Sequence, residues 1–194
     1  MAKALLQKKM NKFFKIFLLV NSLFFSSHIF AQKGSKTLQI SGDAIIPAFQ
    51  KAAGFGLSLK GLYGITQNGE LTLSGGFTKY KLKNTDGAKE VIVRLVPFLV
   101  GYKQNIHHFF LEPKAGIGEL GGRILLTDGD YSKPSVMAIV GGLGAGANLK
   151  RFSVGFNFLA AHGISNSSAG TWHDKNLHYV SASLGYTIFK KSAK

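Results

Sequence analysis

The stretch FGLSLKGLYGITQNGELTLSGGFTKYKLK, residues 55–83, contains two segments in which apolar and polar residues alternate. In the second segment Leu71 and Leu73 occupy one face of an extended chain, and small hydroxyl residues and glycine occupy the other. Asn68-Gly69 between the two segments is a dipeptide that supplies the positive φ angles of a tight turn. The stretch therefore predicts an antiparallel β-hairpin.

The polar face of this hairpin lacks the lysines and glutamates that water-facing strands usually carry. Its small polar residues suit a narrow barrel interior, with the apolar face turned toward lipid. The same alternation recurs along the chain, so strands are also predicted at residues 38–46, 90–102, 108–119, 136–147, 151–160 and 177–189.

Tight turns and longer connections alternate between these strands, which is typical of barrels with short periplasmic turns and long external loops. The longer loops include residues 84–89, 120–135 and 162–176. We predict an all-β fold: an eight-stranded antiparallel up-and-down transmembrane β-barrel in the bacterial outer membrane. A soluble lipocalin-like barrel with inverted faces is the main alternative fold.

The composition agrees with a membrane barrel. Charged residues make up 17% of the 194 residues, below the ~25% of ordinary soluble domains, and the mean hydropathy is slightly positive. The chain has no cysteine, which excludes a disulfide framework, a thiolate nucleophile and a lipoprotein anchor.

The first residues have the layout of a cleavable secretory signal peptide. Lys12 and Lys15 precede a short apolar run, and a small residue follows at the cleavage point. The run is shorter than the ~20 apolar residues of a spanning helix. We assign residues 1–31 to the signal peptide, with Met10 as a possible true start, and residues 32–194 to the barrel domain.

The charge balance bears on partners. The predicted signal peptide contains five lysines and no acidic residue, so the formal net charge falls from +15 to +10 when it is removed. An exported basic protein is not expected to bind nucleic acid, whereas outer membrane lipids and lipopolysaccharide are suitable partners. Four lysines around the second external loop are either solvated or in contact with lipopolysaccharide: Lys79, Lys81, Lys83 and Lys89.

Charged residues on the strands predict ion pairs inside the barrel. A charge facing acyl chains at mid-depth would cost about 2–4 kcal/mol, so such residues should turn inward and pair. The predicted lumenal ion-pair cluster consists of Asp43, Lys60, Arg94, Glu112 and Lys114. If Arg94 points inward, the opposite face of the fourth strand is predicted to face lipid. That face carries Val91, Val93, Leu95 and Leu99. Eight strands leave room only for side chains, so we expect a filled lumen.

A glycine pattern at residues 116–121 matches G-x-G-x-x-G, but no helix follows to hold a pyrophosphate, and no cofactor is expected. Gly116 and Gly118 of this pattern share the inward parity of Gly142, Gly144 and Gly146, and these glycines are predicted to relieve curvature or to make room for large lumenal side chains. At the opposite, outward parity, aromatic residues near the tight turns predict an interfacial girdle of Tyr63, Phe109, Phe152 and Tyr186.

Histidines crowd the last external loop. His162, His173, Asp174 and His178 are metal-ligand types, and His162 with Ser165 could form a base and nucleophile pair like that of lipid A deacylating barrels. The spacing is loose and no carboxylate is placed to orient the base, which favours solvated loop residues. No catalytic or metal residue is predicted.

Three segments resemble the outer membrane protein β-barrel domain family, which comprises small eight-stranded barrels of the OmpA and OmpX type. They are KGLYGIT at residues 60–66, FLEP at 110–113 followed by Gly116-Ile117-Gly118, and Leu184-Gly185-Tyr186. The resemblance implies insertion by the barrel assembly machinery and no enzymatic activity, and it carries over no catalytic residue. We expect a monomer.

These patterns leave three functions open. The first is a structural or surface-interaction protein whose external loops hold the specificity. The second is a barrel that binds or transports a small hydrophobic ligand or lipid. The third is a lipid A modifying enzyme that would use His162 and Ser165.

Overall fold

A computed structural model of the chain describes residues 34–47, 52–85, 88–126, 131–132, 135–164 and 176–192. The side chains of residues 82–90 and 124–132 are not described. The predicted signal peptide lies outside the described residues, so its assignment stays a prediction. Among the residues described, no helix is long and apolar enough to cross a membrane.

The described residues form nine strands. They are β1 (Lys36–Pro47), β2 (Gly54–Gly64), β3 (Gly69–Thr85), β4 (Ala88–Ile106), β5 (Phe109–Leu126), β6 (Tyr131–Ser132), β7 (Ser135–Leu149), β8 (Phe152–Gly163) and β9 (Asn176–Lys191).

The sheet closes on itself. Each long strand pairs antiparallel with the next long strand in the chain, and β1 pairs with β9. The two-residue strand β6 pairs only with the outer end of β5. Eight long strands therefore form a closed up-and-down barrel, which confirms the predicted fold class.

The tight turns lie at one end of the barrel together with the two ends of the described chain. Two of them contain a non-glycine residue with positive φ, His107 at 57° and Lys150 at 56°. The turn predicted at Asn68-Gly69 is different, because neither residue has a positive φ and residues 65–68 form a longer connection. Glycine is needed at position 69 because a Cβ there would collide with the Tyr102 hydroxyl.

The three longest strands, β3, β4 and β5, have 17, 19 and 18 residues. A membrane-spanning strand needs about 9–11 residues. Their surplus length continues past the end of β2, since Gly54 pairs with Tyr80 while β3 runs on to Thr85. The predicted loop at residues 84–89 is thus mostly strand, and β5 occupies the first part of the loop predicted at 120–135.

The outer face is apolar, as a lipid-facing wall requires. Large hydrophobic side chains from the barrel strands stand exposed on it, among them Leu57, Leu59, Leu73, Phe98, Ile117, Leu143, Phe156 and Leu184. Near the tight turns the outer face carries Tyr63, Phe109, Phe152 and Tyr186. The rings of Phe152 and Tyr186 lie 5.2 Å apart, centroid to centroid.

The half of the lumen away from the tight turns is an apolar core. Its buried side chains come from the inner faces of the strands: Ile45, Tyr80, Val93, Leu95, Leu99, Leu120, Ala138, Val140, Leu159, Ala161, Leu177 and Tyr179. Close packing of these side chains fills the lumen at this level.

The orientation of β4 corrects the sequence prediction. Val93, Leu95 and Leu99 are buried in the core and Val91 packs against it, so this face points inward. The alternate residues Val96, Phe98 and Val100 are exposed on the outer face. Both faces of β4 are apolar here, so alternation cannot distinguish them, and the register with β3 and β5 decides.

The orientation of β4 can be tested with two neighbouring substitutions. Leu95→Phe should lower the free energy of unfolding by about 1–3 kcal/mol, because the core has no room for extra atoms. Val96→Phe should leave it nearly unchanged, because lipid accommodates a larger side chain. Urea unfolding in lipid vesicles, followed by circular dichroism, measures both; the reverse order of effects would contradict the inward position of Leu95.

Candidate functional site

The half of the lumen nearer the tight turns is polar, and Glu112 on β5 is its centre. The side chain is only 1% exposed. One carboxylate oxygen, Oε2, accepts a hydrogen bond of 2.6 Å from Lys60 Nζ, and Oε1 accepts one of 3.0 Å from Thr72 Oγ1. Both oxygens of the buried charge are therefore partnered, as stable burial demands.

Two further lysines extend this network around the wall. Lys114 Nζ donates to Asn157 Oδ1 at 2.7 Å. Lys103 Nζ donates to Asn148 Oδ1 at 2.9 Å and lies 4.4 Å from the centroid of the Phe110 ring. The hydrogen bonds and this cation–π contact compensate the lysines for lost hydration.

Asp43 on β1 lines a small cavity beside this network. The cavity has a volume of about 70 Å³, and its wall includes Lys60 and Lys114, both of which attract the Asp43 carboxylate. Serine hydroxyls line it as well, including the hydrogen-bonded pair Ser41 and Ser58 at 2.6 Å. The wall combines these polar groups with apolar side chains, and the small volume of the cavity suits a few water molecules.

The structure therefore brings Asp43, Lys60, Glu112 and Lys114 together in the lumen, but it does not place Arg94 there. Arg94 lies on the outer face of β4, 49% exposed, and its Nη2 is 2.9 Å from Glu119 Oε1. The prediction that Arg94 lies in the lumen is therefore wrong. Both faces of β4 are apolar, so the sequence pattern did not show which face points inward.

Sequence reasoning missed Lys103, which it placed in a turn because Lys103-Gln104-Asn105 is a polar run. The strand continues to Ile106, so Lys103 keeps the inward parity of its strand. Asn157 and Thr72 lie on the strand faces that carry small residues. The alternation of small and large residues in their strands therefore indicates that both side chains point into the lumen.

The glycines of the G-x-G-x-x-G pattern and of β7 lie in strands, with no helix beside them among the described residues. A Cβ at Gly144 would stand 2.7 Å from Asn157 Oδ1, and one at Gly146 would stand 2.8 Å from Phe110 Cζ. Gly144 and Gly146 thus make room for large lumenal side chains, as predicted, whereas a Cβ at Gly116 would collide with the Phe98 carbonyl oxygen, so that glycine permits the close approach of β4.

The histidine-rich region is only partly described, since Ser165, His173 and Asp174 lie outside the described residues. His162 is on the outer face, where its Nδ1 makes a hydrogen bond with Asn176 Oδ1. The ring of His178 stacks on Phe158, with centroids 6.4 Å apart. Within the described part of the chain, no group of three or more histidine, cysteine, aspartate or glutamate side chains is placed to bind a metal ion.

The four predicted lysines of the second external region lie along the outer half of the β3–β4 hairpin. Lys79 and Lys81 are on the outer face of β3. Lys83 and Lys89 belong to the parts of β3 and β4 whose side chains are not described.

The Lys60–Glu112 pair can be tested by neutralising its acid. Glu112→Gln should lower the free energy of unfolding by about 3–5 kcal/mol, because Lys60 would be left buried without its counter-charge. Glu119→Gln breaks the exposed pair with Arg94 and should cost at most ~1 kcal/mol. Urea unfolding in detergent measures both, and equal effects would contradict a buried, energetically coupled pair.

Comparisons with known proteins identify the fold. No protein-family model matches the chain, and no curated protein matches it. Among solved structures, the N-terminal β-barrel domain of Pseudomonas aeruginosa OprF is similar with a TM-score of 0.56 and 12% identity, covering 81% of this chain and 100% of that one. The attachment invasion locus protein Ail of Yersinia pestis is similar with a TM-score of 0.54 and 14% identity, covering 80% of this chain and 99% of that one. In fold, this protein is a small eight-stranded outer membrane β-barrel.

Proposed function

We propose that the protein is a surface-interaction barrel: a closed scaffold that holds the outer ends of β3, β4 and β5 beyond the membrane for contact with a partner polypeptide. The observation that carries this proposal is the surplus length of these three strands over a membrane span. The specificity then lies in the projecting strands and the loops that adjoin them.

The filled lumen favours a scaffold role for this protein rather than a transport role. The apolar core occupies one half of the lumen, and the Glu112 network crosses the other half. The cavity of about 70 Å³ is small, and the charges of Asp43, Lys60 and Lys114 stand among its apolar side chains, which is unfavourable for a lipid or another large hydrophobic ligand.

The projecting strands offer a backbone surface for recognition. In the part of the chain that the structure describes, β3 beyond Tyr80 pairs only with β4, whereas β5 is flanked by both β4 and β6 at its outer end. An exposed strand edge can accept an extended segment of another chain as an added strand. We therefore propose residues 82–85 as the site of such pairing.

The proposal includes a monomer inserted by the barrel assembly machinery, because a closed sheet leaves no strand edge inside the membrane for assembly. It includes no enzymatic role. His162 is engaged by Asn176 on the outer face, which gives the lipid A modifying alternative no support from the described residues.

Shortening the β3–β4 hairpin tests the interaction role. Replacing residues 82–91 with Asn-Gly joins the register partners Lys81 and Ile92 by a two-residue turn and leaves the barrel intact. The purified wild-type barrel should bind a subset of an array of immobilised twelve-residue peptides, and the shortened variant should lose most of this binding. Equal binding by the two proteins, or none by the wild type, would overturn the proposal.

Conductance tests the closed lumen independently. The wild-type barrel in a planar lipid bilayer should show no steady ion conductance, because packed side chains block both halves of the lumen. The shortened hairpin variant should behave in the same way, since Val91 is the one described side chain of the core or its edge that it removes. A steady open channel in the wild type would show that the lumen is a pore.

A further inference from the structure

Two cations face each other on the outer wall of the barrel. Lys79 on β3 and Arg94 on β4 are direct partners in the antiparallel register, and both side chains are on the outer face. Like charges directly opposite one another destabilise a sheet. This pair therefore calls for an anion.

Among the described residues, one carboxylate near this pair supplies negative charge. Glu119 Oε1 lies 2.9 Å from Arg94 Nη2, and the same oxygen also accepts a hydrogen bond of 2.8 Å from Ser135 Oγ. The same carboxylate oxygen is thus shared between the Arg94 guanidinium group and the Ser135 hydroxyl. The register partner of Arg94 on its β5 side is Gly121, which has no side chain to cover the guanidinium group.

The pair lies at the border of the lipid-facing surface. Lys79 pairs with Phe55 on β2, whose ring contacts Phe77 edge-on with centroids 5.7 Å apart. One outward position below Arg94 is Val96, which is 39% exposed. One outward step along a strand covers about 6–7 Å, so the cations stand just beyond side chains that face acyl chains. Lipid headgroup phosphates occupy this level of a membrane.

We propose that Lys79 and Arg94 form a binding site for a phosphate group of lipid A, with an acyl chain of the same molecule against Phe55 and Phe77. The arginine offers a planar fork that matches phosphate oxygens, and the lysine adds a point charge. Glu119 is a positioning residue that orients the guanidinium group. Of the predicted set of four lysines this site includes Lys79, and it adds Arg94, the cation that the sequence pattern had assigned to the lumen.

The test uses native mass spectrometry of the folded full-length barrel in mild detergent, titrated with hexa-acylated lipid A carrying two phosphates or none. The wild type should bind the phosphorylated form about tenfold more tightly, as charge-assisted hydrogen bonds to phosphate predict. The double variant Lys79→Gln/Arg94→Gln should lose this preference while still migrating differently before and after boiling on detergent gels.

A matched control removes two cations at the opposite end of the barrel. Lys150→Gln/Arg151→Gln alters an exposed basic pair at a tight turn and should keep the preference for phosphorylated lipid A. The proposal is overturned if this control loses as much as the Lys79/Arg94 variant, or if the wild type shows no preference. It is also overturned if inorganic phosphate at the same concentration displaces the lipid fully, since a free anion would then suffice.

This site is independent of the proposed surface interaction. The shortened hairpin variant lacks residues 82–91 but keeps Lys79 and Arg94, so it should retain the lipid A preference even if peptide binding is lost. Loss of that preference in the shortened variant would count against a site built from Lys79 and Arg94 alone.

Discussion

The pairing of β1 with β9 is the interaction on which the rest of the structure depends. In lipid, a backbone amide or carbonyl without a partner costs several kcal/mol, so a sheet can span the membrane only if it closes. Twelve residues of β1, from Lys36 to Pro47, have register partners on β9, with one irregularity between Leu38 and Gln39. Closure fixes which face of every strand is the lumen.

Closure also creates an enclosed lumen that the inward-facing side chains must fill. Eight strands enclose a space that side chains can fill, and this chain fills it in two ways. Leu95, Leu120 and Val140 pack as the core of a soluble protein does. Glu112 instead forms a buried ion pair with Lys60, and its other carboxylate oxygen accepts a hydrogen bond from Thr72. Gly144 and Gly146 of β7 contribute to this filling, because Asn157 and Phe110 occupy the space beside them.

The outer wall changes character along its height. Aromatic residues stand near the tight turns, aliphatic and aromatic side chains cover the middle, and Lys79 with Arg94 marks the far border. Beyond that border the wall continues as β3, β4 and β5. The filled interior leaves the interactions we propose to two surfaces, one cationic and next to lipid, the other the sheet formed by the outer ends of β3, β4 and β5.

The sequence by itself determined the number and direction of the strands, and the faces of β3 and β5, because apolar and small polar residues alternate there without ambiguity. It also identified Lys60, Glu112 and Lys114 as inward residues. Only the tertiary structure decided the orientation of β4, where valine, leucine and phenylalanine occupy both faces and a one-residue shift leaves the pattern unchanged. With that orientation Arg94 moved from the lumen to the lipid border. The length of β3, β4 and β5 was likewise undetermined, because polar residues that resemble a loop in sequence remain paired when a neighbouring strand supplies the hydrogen bonds.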